Sequence, residues 1–172
     1  IGSVPVTADG DRRSDTADEA VGPALVREFP PSRAGSPVDP FPFVERLGVE
    51  LLHADRGRTV MRLPLEPNVN HVGTMYAGAL FTLAEVPGGH LFISTFDVSR
   101  FFPIVGEIGL RFHQPATTSV LVDARMGEAE IERVATELDQ RGKARWVLVQ
   151  ELIDEHGSLV ATSQATYFGL AL

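Results

Sequence analysis

Residues 70–96 read NHVGTMYAGALFTLAEVPGGHLFISTF and are apolar along most of their length. In a helix drawn through them, apolar side chains occur on every side, and a helix of that kind is surrounded by other elements. One charged residue, Glu85, interrupts the run, and burying a carboxylate is costly unless it is paired or has a function. The stretch predicts a long central helix with Glu85 at the centre of a site.

The two ends of this helix carry separate signals. Thr74 follows the loop residue Gly73 and is predicted to be the N-cap. The amides of Ala77 and Gly78 would then be unsatisfied first-turn donors, at the positive end of the helix dipole. Pro87 removes one helical hydrogen bond, which predicts a kink or a break just after Glu85.

Composition limits the class of protein. A chain of 172 residues with 44% hydrophobic residues and no cysteine is expected to form one domain without disulfides or thiolate chemistry. A net charge of −8 argues against nucleic acid as a partner. No stretch of about 20 residues is apolar and free of charge, so membrane insertion is not expected. Residues 1–20 contain no apolar segment of the signal-peptide type, so no secretory signal is expected and a cytoplasmic location is predicted. The five histidines lack metal-ligand spacing, so no metal and no other cofactor is predicted.

The remainder of the chain predicts a sheet around the helix. Residues 1–38 are expected to be a poorly ordered arm, and residues 39–172 the domain, entered by a short helix that starts at Asp39-Pro40. Two strands precede the central helix, and four follow it with a second helix over residues 128–140. Residues 103–113 alternate, which places Ile104 on the same face as Ile108. This order favours an α+β fold with a curved antiparallel sheet wrapped around the long helix.

Two segments resemble the hotdog-fold thioesterases, particularly the phenylacetic-acid-degradation (PaaI-like) branch. They are LGVELLHADRGRTVMRLPLEPNVNHVGTMYAGALFTLAE (47–85) and LRFHQPA (110–116). That family places an Asn six residues before a His-Gly-Gly and an acidic residue seven after its second Gly. Asn70, Gly78 and Glu85 have this spacing, whereas Tyr76 and Ala77 replace the first His and the first Gly. The resemblance implies the hotdog fold over roughly residues 43–170.

The resemblance also implies an activity and a set of roles. Hotdog thioesterases hydrolyse acyl thioesters of coenzyme A or of a carrier protein, at sites shared by two chains that pair along their sheets. Carried over by position, Glu85 would be the base or nucleophile, Gly78 would contribute an amide to the oxyanion site, and Asn70 would orient water or the thioester. The predicted substrate-binding residues are Tyr76, Ala77, Thr82 and His71. A homodimer is expected, with a tetramer as a further possibility.

The sequence leaves two alternative functions and the role of one cluster of cations to be considered. The altered Tyr76-Ala77 pair favours a non-catalytic acyl-binding or structural hotdog protein with a vestigial site. A hotdog hydratase is disfavoured, because no Asp and His pair precedes the helix. The three cations Arg141, Lys143 and Arg145 either meet coenzyme A phosphates or form a solvated edge.

Overall fold

The computed structural model describes residues 41–172, so the predicted arm and the Asp39-Pro40 helix start lie outside the described residues. Six strands form one antiparallel sheet in the order β1-β2-β4-β5-β6-β3. The elements are α1 (Pro42–Arg46), β1 (Glu50–Asp55), β2 (Arg58–Leu63), α2 (Ala77–Thr95), β3 (Phe101–Phe112), β4 (Val120–Arg125), α3 (Glu128–Arg141), β5 (Lys143–Asp154) and β6 (Leu159–Ala171). The curved sheet packed against a central helix confirms the predicted α+β hotdog fold.

The two larger helices pack on one face of the sheet, which we call the inner face. Alternate residues of β5 point to it, and those at 144, 146, 148, 150 and 152 are buried. Trp146 stacks between Phe92 of α2 and Tyr167 of β6, with ring centroids 5.3 and 5.6 Å apart. The stripe Ile131, Val134 and Leu138 of α3 joins the same cluster, as its helical spacing predicts. The core therefore lies between α2, α3 and the inner face.

The N-terminus of α2 differs from the prediction. Tyr76, and not Thr74, occupies the N-cap position in an extended conformation, without a side-chain capping bond. Thr74 instead belongs to the preceding loop, because its amide and its hydroxyl both bond to the side chain of Asn70. The predicted N-cap was wrong because a local side-chain hydrogen bond competes for the same backbone group.

Of the kink or break predicted just after Glu85, the break is wrong, since α2 runs from Ala77 to Thr95 with Pro87 inside it. The sheet supplies two donors at this turn. Gln150 donates from Nε2 to the carbonyl of Ala84 at 2.8 Å, and Tyr167 donates from its hydroxyl to the carbonyl of Glu85 at 2.7 Å. Side chains of β5 and β6 thus hold the turn in which the proline removes a helical bond.

A β-bulge in β3 interrupts the alternation that was predicted for residues 103–113. The register with β6 shifts between Val105 and Glu107, so Ile104 pairs with Phe168 while Ile108 pairs with Ala165. The extra residue reverses the facing of everything before it. Ile104 therefore lies on the outer face of the sheet, opposite to α2, whereas Ile108 faces the core.

Candidate active site

One stripe of α2 is not covered by the rest of the described chain. Phe81 and Ile93 are exposed, Glu85 is half-buried between them, and a side chain at Gly89 would meet nothing within 4 Å. These positions recur every four residues and so share one face of the helix. The side chain of Glu85 makes no hydrogen bond or ion pair to any residue of 41–172. Burial raises the pKa of this carboxyl above its usual range.

The first turn of α2 offers two free donors. The first amides bonded to the carbonyl of Tyr76 are those of Ala79 and Leu80, at 3.0 and 3.2 Å. The amides of Ala77 and Gly78 have no acceptor within residues 41–172. They lie at the positive end of a 19-residue helix, where developing negative charge is stabilised.

The ring of Tyr76 covers this helix end. A Cβ on Gly78 would collide with the ring, so the glycine makes room for a neighbouring side chain of its own chain. Tyr76 is nevertheless 60% exposed, and its hydroxyl makes no hydrogen bond to any residue of 41–172. An exposed side chain without a tether changes rotamer on a fast timescale, so the ring can leave this position.

The side chain of Asn70 is engaged in the loop before the helix. Its Oδ1 accepts from the amides of Val72 and Thr74 at 3.0 and 3.1 Å. Its Nδ2 donates to the hydroxyl of Thr74 at 2.9 Å and to the carbonyl of Met75 at 3.5 Å. In this conformation the amide has no free bonding capacity. The geometry gives Asn70 a positioning role in shaping residues 70–76, and its predicted contact with substrate or water stays a prediction.

Thr82 and His71, the two other predicted substrate-binding residues, lie in different environments. Thr82 is buried, and its hydroxyl donates to the carbonyl of Gly78 at 3.0 Å, which ties it to the first turn of α2 and not to Glu85. His71 is exposed on the loop, away from any partner within residues 41–172. Their roles toward substrate stay predictions.

Sequence reasoning missed Gln150 and Tyr167, the two residues that fix the backbone at Glu85. Gln150 is only 3% exposed and Tyr167 is buried against Gly88, where a Cβ would collide with its ring. Burial, and secondarily the proximity of Glu85, raises the pKa of Tyr167, which keeps its hydroxyl protonated as a donor. The strict alternation of β5 was an available signal, since it places one glutamine among apolar inward residues.

Glu85 and the free amides are separated along one chain. Seven residues of helix between Gly78 and Glu85 span about 10 Å at about 1.5 Å per residue. A single carbonyl group cannot contact both, so the two halves of the chemistry do not meet within one described chain. Among residues 41–172, no group of three acidic or histidine side chains is arranged to hold a metal ion.

Residues 38–170 match the profile of one protein family, described as "Putative thioesterase (yiiD_Cterm)". The chain belongs to this family. Membership of the YiiD_C family confirms the predicted resemblance to the hotdog thioesterase superfamily. The finer placement in the PaaI-like branch stays a prediction. No curated protein matches the chain.

Solved structures resemble this YiiD_C chain over most of its length. The protein PA5026 of Pseudomonas aeruginosa, described as being of unknown function and a "Probable Thioesterase", is 45% identical, with a TM-score of 0.74 over 78% of this chain and 90% of that one. A "putative thioesterase" from Shewanella oneidensis is 23% identical, with a TM-score of 0.65 over 76% and 90%. A mutant of the Pseudomonas aeruginosa thioesterase PA1618 is 17% identical, with a TM-score of 0.61 over 76% and 86%. The last two likenesses concern the fold alone.

Across residues 41–172, the helices lack the combination of length and hydrophobicity that a bilayer crossing requires.

Proposed function

We propose that this YiiD_C protein is an acyl-thioester hydrolase whose site forms between two copies of the chain. The observation that carries the proposal is Glu85, a half-buried carboxylate without an ion pair to any described residue, on the stripe of α2 that residues 41–172 leave open. A carboxyl with a raised pKa is suited to accept a proton near neutral pH. The thioester is carried by coenzyme A or by a carrier protein.

The reaction divides between the two chains. Glu85 of one chain takes a proton from water, and the oxygen of that water bonds to the thioester carbonyl carbon. The amides of Ala77 and Gly78 in the other chain stabilise the resulting oxyanion. The carbon–sulfur bond then breaks, the carboxylic acid leaves, and the thiolate takes up the proton held by Glu85, which restores the carboxylate. Direct attack by the Glu85 carboxylate, through an anhydride that water then hydrolyses, is the covalent variant of the same arrangement.

The homodimer follows from the edge of the sheet. β3 is twelve residues long, pairs with β6 on one side, and forms an edge of the six-stranded sheet. Long open edges are normally paired or covered, and a second β3 is the strand with a matching pattern. Pairing of two β3 edges would also bring the open stripe of each α2 towards the partner chain, which supports the shared site.

A second candidate is an acyl-binding protein without catalysis. The position of Tyr76 favours it, because the ring lies over Gly78, where the carbonyl would be held. The two candidates differ in whether any acyl thioester is turned over.

A hydrolysis screen over acyl-coenzyme A chain lengths and aryl-coenzyme A esters, with Glu85→Gln as the matched variant, tests the proposal. We expect turnover by the parent and a loss of roughly 10²- to 10⁴-fold in Glu85→Gln, the usual effect of removing a general base. Turnover that persists in a folded Glu85→Gln would remove Glu85 from the mechanism. Tight acyl-thioester binding without turnover by the parent would establish the second candidate.

A further inference from the structure

The two adjacent glycines inside α2 have different surroundings. A Cβ built on Gly88 would collide with the ring of Tyr167, so packing within the chain accounts for this glycine. A Cβ built on Gly89 would meet no atom of residues 41–172 within 4 Å. A glycine inside a helix lowers stability relative to alanine, because its backbone loses more conformational freedom on folding. Packing within the described residues therefore gives no reason for the glycine at position 89.

The missing side chain of Gly89 leaves a notch on the open stripe of α2. The notch lies between Glu85, one helical turn before it, and Ile93, one turn after it. The side chain of Ile93 is 42% exposed and closes the far end with an apolar surface. At about 1.5 Å per residue, the notch is about 6 Å and Ile93 about 12 Å from Glu85 along the helix axis. The notch therefore adjoins the candidate catalytic carboxylate.

The surroundings of Glu85 give the two parts of a thioester different directions. Towards the N-terminus of α2 the next position of the stripe is filled by the side chain of Phe81, whereas towards the C-terminus the stripe is open over Gly89. The C-terminal end of the helix dipole is negative. Asp97 follows this end, and hydrogen bonds from Ser99 hold the pKa of its carboxyl below the usual range. The phosphates of coenzyme A are disfavoured on this side, so the uncharged acyl chain is the part that lies over Gly89.

The spacing along α2 limits the length of the acyl chain. An extended chain advances by about 1.2 Å per bond, because the three backbone bonds of one residue span about 3.6 Å at most. About five bonds then separate a reacting carbonyl carbon beside Glu85 from a methylene over Gly89, and about ten bonds reach Ile93. A chain of about four carbons ends before the notch, whereas a longer one fills it and removes apolar surface from water.

We infer that Gly89 determines which acyl groups the site accepts, and that the preferred substrates are straight-chain acyl thioesters of about six to ten carbons. The inference rests on the proposed function, because Glu85 marks the position of the reacting carbonyl. The acyl chain lies in the notch over Gly89 and ends against Ile93. Glycine is retained at this helical position because any larger residue would occupy the space of the substrate.

A series of straight-chain acyl-coenzyme A esters from acetyl to dodecanoyl tests the inference, with kcat/KM measured for each ester. Gly89→Leu should lower the ratio of the octanoyl to the butanoyl value by roughly 10- to 200-fold, the effect of one methylene of misfit in an apolar pocket. Gly89→Ala should lower this ratio in the same direction by a smaller factor. Ile93→Ala opens the far end and should raise the ratio of dodecanoyl to octanoyl. Gly127→Leu adds the same side chain at the N-cap of α3, where a Cβ also meets nothing within 4 Å, and should change neither ratio.

The outcomes separate this inference from the proposed function. A parent that hydrolyses the esters, while folded Gly89→Leu and Gly89→Ala keep its octanoyl-to-butanoyl ratio, overturns the inference alone. A lower molar mass of Gly89→Ala in light scattering also overturns it, because the notch is then filled by the partner chain.

Calorimetric binding of octanoyl- and butanoyl-coenzyme A to Glu85→Gln, with and without Gly89→Leu, measures the notch without turnover. A parent that hydrolyses no ester, while Gly89→Leu still weakens octanoyl-coenzyme A binding selectively, overturns the proposed function and supports the acyl notch. A parent that neither binds nor hydrolyses any of these esters overturns both.

Discussion

The hydroxyl of Tyr167 donates a 2.7 Å hydrogen bond to the backbone carbonyl of Glu85, so a strand of the sheet fixes the helix turn that carries the candidate catalytic carboxylate. Gln150 donates to the preceding carbonyl, that of Ala84, at 2.8 Å. Both bonds act on the backbone and leave the carboxylate itself free. The sheet thereby positions Glu85 without neutralising it, which a direct ion pair would do.

The first prediction concerns this bond. Tyr167→Phe keeps the aromatic stack on Trp146 and leaves the Glu85 carbonyl without its side-chain donor. A typical intramolecular hydrogen bond contributes about 0.5–1.5 kcal/mol to the free energy of unfolding. We expect a loss of that size in chemical denaturation, with a lower kcat and a nearly unchanged KM. Tyr76→Phe, which removes a hydroxyl that makes no hydrogen bond to residues 41–172, is the control, and an equal loss there would contradict the explanation.

The adjacent glycines of α2 give a matched pair. A Cβ at Gly88 would collide with the buried ring of Tyr167, whereas a Cβ at Gly89 would meet nothing within 4 Å. We expect Gly88→Ala to destabilise the fold by about 1–3 kcal/mol through overpacking. Gly89→Ala should stabilise it by about 0.5–1 kcal/mol, because alanine loses less conformational entropy in a helix. Chemical denaturation of both variants measures whether each substitution raises or lowers the free energy of unfolding. Destabilisation by Gly89→Ala would instead place the partner chain against this position.

The pH dependence of stability follows from the raised pKa of Glu85. Between the ordinary carboxyl pKa of 4.5 and the folded-state value, the folded chain binds more protons than the unfolded one. The contribution of Glu85 to stability therefore falls as pH rises through this window and is most unfavourable above it. We expect Glu85→Gln to raise the melting temperature at pH 7.5 and to lose this advantage near pH 4. A variant that is less stable at pH 7.5 would show that the carboxylate has a stabilising partner.

The shared site predicts complementation between two inactive variants. Ala77→Pro removes one oxyanion donor, and proline is well tolerated here because position 77 is the first of the helix and Tyr76 is extended, with φ −65° and ψ 134°. Each of Ala77→Pro and Glu85→Gln should lose most of its activity. When they are mixed under exchange, half the dimers are hybrids with one intact site, so about one quarter of the parent rate should return.

The absence of any recovery in the mixture, when exchange is demonstrated by mass, would place the whole site within one chain. Glu85→Gln mixed with itself at the same concentration is the control for recovery caused by handling.

Tyr76 provides the last prediction. Because its ring covers Gly78 in the structure, the competent state is the one in which the ring has moved away. Tyr76→Ala should raise kcat/KM by roughly 2- to 10-fold, as expected when a minor competent population becomes the major one. Melting should hardly change, since the side chain is exposed. A fall in kcat/KM would show that the ring contacts the substrate, the role that the family resemblance implies for Tyr76.

The sequence by itself determined the order of elements, the central helix and the isolation of Glu85 within it. Hydrophobic periodicity carries that information, because it reports which side of each element meets the core. The end of α3 is set locally as well, because Gly142 caps it with a φ of 63°, the left-handed conformation that glycine adopts without strain. These features depend on residues close together in the chain.

Only the tertiary structure decided how the candidate site is held. From the sequence, Pro87 predicts a helix break. In the structure, Gln150 of β5 and Tyr167 of β6 donate hydrogen bonds to the carbonyls beside it, and the helix continues. Thr74 has the position of an N-cap in the sequence, but its amide donates to Oδ1 of Asn70 and so belongs to the loop. The alternation in the sequence places Ile104 on the core face, whereas the β-bulge puts it on the outer face of the sheet. For Pro87 and Ile104 the deciding contact comes from a strand distant in sequence, and spacing does not record which distant partner will be adjacent. The Asn70–Thr74 bond is local, and it competes with helix capping within the same loop.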